Sequence, residues 1–248
     1  MAALIIAHRG GAPHLGENTA RAFEHGLNSG ADMLEMDVQR SADGHLVVNH
    51  DDTVTLRNGL VRPVSALPLG ELMREVEGLL GFEEYLEQFG RRKQTNVDIK
   101  GRGFERELVQ ALRRHNLVDQ VLISGRDGGA LRTVKFLAPE AKIGLSRGQI
   151  VPWLGKEPHS TIAARTLRPT LPVQLLAHAT RAMADSFMLN HRLVAPWLVR
   201  FLHSRGYRVF CWTVNDAETF RRLEATGVDG IATDHPERMV ERYSEAGC

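Results

Sequence analysis

The sequence predicts a parallel α/β fold, and three observations carry that expectation. Short β-rich runs alternate with helical patterns, roughly eight pairs in all. The first run, Leu4–Ala7, is apolar throughout, as a strand covered on both faces must be. The residues able to do chemistry fall just after such runs, where parallel α/β folds build their sites. A length of 248 residues suits one domain spanning 1–248.

The elements are expected in this order. Strand Leu4–Ala7 leads into a helix over 19–29, which Asn18 or Thr19 caps. A second strand covers 33–38, and another covers 45–49 after the turn Ala42-Asp43-Gly44. Residues 51–81, with Pro63, Pro68 and several glycines, read as a short insertion of loop and short helix. Helix 82–89, strand 95–99, helix 104–115, strand 121–124, helix 130–136 and strand 142–145 follow. Residues 146–190 give no clear pattern. Helix 193–204, strand 208–214, helix 217–226 and a last strand 230–233 complete the chain. No internal repeat or low-complexity tail is present. Periodicity does not separate a closed barrel from an open doubly wound sheet. Gly10-Gly11 follows a strand but lacks the third glycine of a dinucleotide-binding turn.

Composition excludes several function classes. Lys plus Arg total 31 and Asp plus Glu total 30, a net charge of +1, so bulk electrostatics tether the chain to neither nucleic acid nor membrane. Cys211 sits in the apolar run Val209-Phe210-Cys211-Trp212 and Cys248 at the end, which suggests neither a disulfide framework nor a zinc site. The first apolar run is too short for a signal peptide, and no stretch has transmembrane length. A cytoplasmic protein without stable membrane insertion is expected. The sequence does not specify its oligomeric state.

The polar residues at strand ends are the informative feature. Glu35 and Asp37 lie two apart on a strand and so share a face. Paired carboxylates repel unless a cation sits between them, and a hard divalent ion suits them. The alternative is two solvated carboxylates. Asp98 and Lys100 repeat the spacing: a third metal ligand with a phosphate-binding ammonium, or a structural ion pair. His8 and His50 follow different strands beside Arg9, as general acid and base catalysis of phosphodiester cleavage requires. Glu17, in Glu17-Asn18-Thr19, is placed to orient His8 or Arg9. Trp212 is either core or a pocket wall. His14, in a glycine-rich loop, is the nearest rival histidine. No Gly-x-Ser-x-Gly elbow or phosphate-binding Gly-Lys-Ser/Thr loop occurs.

These residues resemble a known family. Ala7-His8-Arg9-Gly10, Glu17-Asn18-Thr19, Gly30-Ala31-Asp32, Glu35-Met36-Asp37-Val38, Asp43-Gly44 and His50-Asp51 look like the N-terminal signature of glycerophosphodiester phosphodiesterases. Trp212-Thr213-Val214-Asn215 and the run Gly227 to Pro236 match the family's C-terminal pattern. The resemblance implies a (β/α)₈ TIM barrel that hydrolyses glycerophosphodiesters to sn-glycerol 3-phosphate and an alcohol. It implies His8 and His50 as the acid/base pair and Arg9 as a phosphate ligand, with Lys100 matching the family's lysine; Trp212, as a pocket wall, would contact a glycerol or head group. Glu35, Asp37 and Asp98 would hold a divalent ion, Mg²⁺ or Ca²⁺, with Mn²⁺ a third choice. Asp98 departs from the family's usual Glu by one methylene, and the proline that often precedes Glu17 is absent. Two alternatives remain: a lysophospholipase-D-like phosphodiesterase, or a phosphate-binding barrel without catalysis.

Overall fold

A computed structural model describes residues 2–148 and 170–245 of the chain. Eight parallel strands form the sheet that matters for function: β1 (Leu4–Ala7), β2 (Met33–Arg40), β3 (Gln94–Ile99), β4 (Leu122–Gly125), β5 (Lys142–Arg147), β6 (Ser186–Asn190), β7 (Arg208–Trp212) and β8 (Gly230–Thr233). Each pairs with the next, and β8 returns to β1 with Thr233 opposite Ala7. Because β1 has a partner on both sides, the sheet is a closed (β/α)₈ barrel and not an open doubly wound one.

Alternation along the strands explains the interior. Ile6, Met33, Leu122, Met188, Phe210 and Ala232 point inward and form an apolar plug. The intervening residues, such as Leu34, Met36, Val38, Val97, Ile123 and Ile143, pack outward into the main core beneath the helices. Two residues beyond Met33 on β2 come Glu35 and then Asp37. They therefore sit on the plug side, nearer the C-terminal rim. The β2–β3 register sets Asn96 opposite Glu35 and Asp98 opposite Asp37. The apolar plug fills the barrel below, and the polar groups sit above it.

Most expected elements are present, with ends moved by a few residues. Thr19 caps helix Ala20–Asn28, its hydroxyl accepting from the Ala22 N–H at 3.2 Å. Asn18 is not the cap; it has φ 59° and turns its amide inward. Within the unassigned stretch lie helix Leu171–Ala182 and strand β6. Residues 149–169, His159 among them, and Cys248 lie outside the described residues. Helix Pro236–Glu245, not expected from the sequence, follows β8.

The segment between β2 and β3 is more ordered than a loop with one helix. Leu46–Val48 adds antiparallel to β2, and Leu80–Gly81 adds beyond it. Thr53–Thr55 and Val61–Pro63 form a hairpin around Asn58-Gly59, where Gly59 has φ 82°. Helix Leu69–Glu75 follows. Val47, Val54, Leu56, Val64, Leu67 and Leu72 give the segment its own core. Among the described residues no helix is long and apolar enough to cross a membrane.

Candidate active site

The site begins where β1 ends. His8, Arg9 and Gly10 form a single 3₁₀ turn in which Arg9 has φ 52° and ψ 34°. A non-glycine residue in this region is strained by about 1–3 kcal/mol unless its surroundings hold it. Three contacts do so. The Arg9 N–H donates to Glu35 Oε2 at 2.9 Å, its guanidinium donates to Glu17 Oε2 at 2.6 Å, and its Nε lies 3.2 Å from Asp37 Oδ2. Gly10 follows with φ 91°, and a Cβ there would stand 2.7 Å from Ala22, so the turn packs directly on helix Ala20–Asn28.

Closure of the barrel supplies a partner for His8. Because Ala7 pairs with Thr233, the residues after them are neighbours, and His8 Nδ1 lies 2.7 Å from Asp234 Oδ1. Asp234 is fixed in turn by Asn215 Nδ2, which donates to its other oxygen at 2.6 Å. This leaves His8 Nε2 facing the cleft, 4.0 Å from Glu35 Oε2. Burial disfavours the charged ring, but the Glu35 carboxylate and the Asp234 hydrogen bond outweigh it and raise the pKa of His8. Burial and the neighbouring Asp37 push the Glu35 carboxyl up to about 7, against the pull of His8 and Lys100.

Lys100 joins the acidic residues. Its Nζ stands 2.7 Å from Asp37 Oδ1 and 2.5 Å from Asp98 Oδ2. Burial alone would lower its pKa; Asp98, Asp37 and Glu35 raise it instead. Asp37 is fully buried and accepts from Asn18 Nδ2 at 2.8 Å. Burial opposes its charge, yet Lys100 and Arg9 hold its carboxyl below the usual range. Asp98 Oδ1 accepts from the Ser124 hydroxyl at 2.6 Å and the Ser146 hydroxyl at 3.3 Å.

Three carboxylates thus meet at one end of the barrel and offer only oxygen donors. Among the described residues no three Asp, Glu, His or Cys side chains surround a common point as they stand, and Lys100 Nζ lies between Asp37 and Asp98. The donor chemistry nevertheless suits a hard divalent cation. A buried Glu35 with a raised pKa marks unrelieved negative charge, which such an ion would offset.

His50 follows Leu46–Val48, with its Nδ1 2.7 Å from Asp51 Oδ1. His8, Arg9, Glu35, His50, Asp98, Lys100 and Trp212 line one cavity of about 290 Å³. Trp212 is therefore a wall rather than core, with its Nε1–H donating to the Met188 carbonyl at 3.1 Å. Asp37 does not line this cavity and contacts Arg9 and Lys100, and Glu17 contacts Arg9. The sequence reading assigned no role to Asp234, Asn96, Ser124, Ser146 or Arg126. Asp234 was visible as a strand-end acid; the others needed the barrel's inside to be known. Asn96 Oδ1 is buried with no hydrogen-bond partner among the described residues. Cys211 is buried, and burial pushes its thiol up to about 12, so it is no nucleophile.

The raised groups make stability depend on pH in a stated direction. Glu35 has an ordinary value of 4.5 and about 7 when folded, so the folded state binds its proton more tightly. That advantage is complete below 4.5 and disappears as pH rises through about 7. His8, raised above 6.5, acts in the same direction. Asp37 and Asp234 are lowered, so their contribution is lost only on strong acidification. In chelator, the urea midpoint is expected to fall between about pH 5 and 7.5, and Glu35→Gln to flatten that fall. An equally steep fall in the variant would show that Glu35 is not its source.

Comparison with known proteins gives consistent results. The model of the glycerophosphoryl diester phosphodiesterase family matches residues 8–238. A glycerophosphodiester phosphodiesterase of Caldanaerobacter subterraneus is 32% identical and aligns over 100% of both chains. A lysophospholipase D of Homo sapiens is 28% identical over 94% of this chain and 82% of its own. An Oleispira antarctica phosphodiesterase, solved in complex with the product sn-glycerol-3-phosphate, superposes with a TM-score of 0.80 at 21% identity, covering 98% of this chain and 97% of that one.

Proposed function

Because the chain belongs to the glycerophosphoryl diester phosphodiesterase family, we propose that it hydrolyses glycerophosphodiesters to sn-glycerol 3-phosphate and an alcohol. One observation carries the reading: two histidines from different chain segments line a single cleft with Arg9 and Lys100. That set offers a proton acceptor, a proton donor and two cations for a phosphodiester.

The roles divide as follows. Arg9 and Lys100 bind the phosphate, and Trp212 packs against the glycerol. One histidine takes the proton of the attacking oxygen, either water or the neighbouring glycerol hydroxyl by way of a cyclic phosphate. The other delivers a proton to the leaving alkoxide. Asp234 keeps the proton of His8 on Nδ1, so Nε2 is the atom that exchanges protons with substrate. Glu35, Asp37 and Asp98 would hold a divalent cation, Mg²⁺ or Ca²⁺ before Mn²⁺. When bound, it would neutralise charge developing on the phosphoryl oxygens. Glu17 positions Arg9. In this reading residues 1–248 act as one cytoplasmic domain, with 51–81 as an insertion at the rim.

The test is release of glycerol 3-phosphate from glycerophosphocholine, in chelator and after each metal is restored. Metal-restored release supports the reading, and no release with any metal refutes it for that substrate. A lysophospholipid belongs in the same assay. The human relative is a lysophospholipase D, and Met188 and Trp212 give the cleft an apolar side.

A further inference from the structure

A second cavity of about 390 Å³ opens beside the cleft and shares with it His50, Asp98, Lys100 and Arg126. Gln39, Asp51, Asp52, Arg102 and Asp127 are among its other walls. If the glycerol phosphate occupies the cleft with Trp212, this space is where the alcohol half of the diester projects. That placement rests on the proposed phosphodiesterase reading.

The charges in this cavity are not all free to meet a ligand. Asp51 is joined to His50 at 2.7 Å. Asp98 is taken by Lys100 and the Ser124 hydroxyl. Asp127 accepts from the Gly129 and Ala130 N–H groups, and Arg102 stands 3.8 Å from its other oxygen. Lys100, held between Asp37 and Asp98, faces the phosphate in the reading above and not the alcohol half. Two charged side chains remain: among the described residues neither Arg126 nor Asp52 has an ion-pair or side-chain hydrogen-bond partner. Arg126 follows β4 two residues after Ser124, so it lies on the plug side of the strand, and it lines both cavities. The two are not paired with each other, although both line the same space.

We propose that this cavity selects an alcohol carrying both charges, an amino-acid-like zwitterion, with its carboxylate on Arg126 and its ammonium on Asp52. An exposed guanidinium donates two parallel N–H bonds to a carboxylate, a group that neither a choline nor an ethanolamine head group supplies. Glycerophosphoserine is the simplest diester of this class.

The experiment compares glycerophosphoserine with glycerophosphoethanolamine, which differ only by the carboxylate, and uses uncharged glycerophosphoglycerol as reference. The preference is read as a ratio of kcat/KM values and again as a ratio of dissociation constants in chelator, where absence of turnover does not hide it. The parent protein is expected to prefer the serine diester by about tenfold over the ethanolamine diester, and Arg126→Gln to bring that ratio near one. Asp52→Asn should lower both amine-bearing diesters relative to glycerophosphoglycerol and leave the serine-to-ethanolamine ratio intact. A parent ratio near one, or an Arg126→Gln protein with an unchanged ratio, overturns the proposal. Equal losses on every diester would place Arg126 on the scissile phosphate and overturn it as well. If no diester is turned over, the phosphodiesterase reading fails, while the binding ratio still decides the role of Arg126.

Discussion

His8→Ala should lower kcat on a glycerophosphodiester by about 10²–10⁴-fold while leaving the barrel folded. The magnitude follows from what the side chain is held to do. Its Nδ1 is committed to Asp234 and its Nε2 faces the cleft, so the substitution removes a proton carrier already oriented for transfer. Asp234→Asn retains a side chain of the same size but can donate to Nδ1 and so favour the wrong tautomer. It should therefore lower kcat while changing KM far less. His50→Ala should show a loss of the same order as His8→Ala. Steady-state kinetics with an unfolding curve for each variant check this. If His8→Ala and His50→Ala both keep near-parent kcat, neither ring carries the proton and the assignment is wrong.

Lys100→Met should lower stability in chelator by about 3 kcal/mol. Removing the ammonium leaves Asp37 buried with only Arg9 and Asn18, and Asp98 with two serine hydroxyls. Breaking one side of a buried ion pair costs more than the pair itself contributed, because the stranded charge has lost its hydration. A divalent cation should restore part of the loss, since it would meet the same carboxylates. Urea unfolding in chelator and in excess Mg²⁺ measures both effects. The experiment also separates the two readings the sequence left open for Asp98 and Lys100. A variant as stable as the parent, but with a greatly raised KM, would make the ammonium a substrate contact and not a structural ion.

The parallel α/β class was legible because its strands are buried on both faces, and runs such as Leu4–Ala7 cannot belong on a surface; closure into a barrel was implied only by the family resemblance. Glu35, Asp37, Asp98 and Lys100 were legible because two-residue spacing fixes a shared face whatever the fold. Other features depended on pairing that a linear pattern does not carry. β6 reads Ser-Phe-Met-Leu-Asn, and its polar ends hid it. The helix Leu171–Ala182 has a proline as its second residue, which obscured its start. His8 and Asp234 lie 226 residues apart, and only the return of β8 to β1 makes them partners. Asn18 looked like a helix cap until its left-handed backbone turned its amide to Asp37. The sequence also marked Arg9 as a phosphate ligand without showing that Glu17 and Asp37 already hold its guanidinium.

The pairing of β1 with β8 also sets an order of events during synthesis. A nascent chain stopped before residue 230 has His8, Glu35, Asp98 and Lys100, but it lacks both Asp234 and the strand that closes the barrel. The imidazole of His8 would then be free to rotate, and the first strand would have an open edge on that side. On the proposed mechanism, catalytic competence arrives late in translation, in one step with ring closure, and ribosome-bound intermediates should carry the residues for the reaction without being able to perform it.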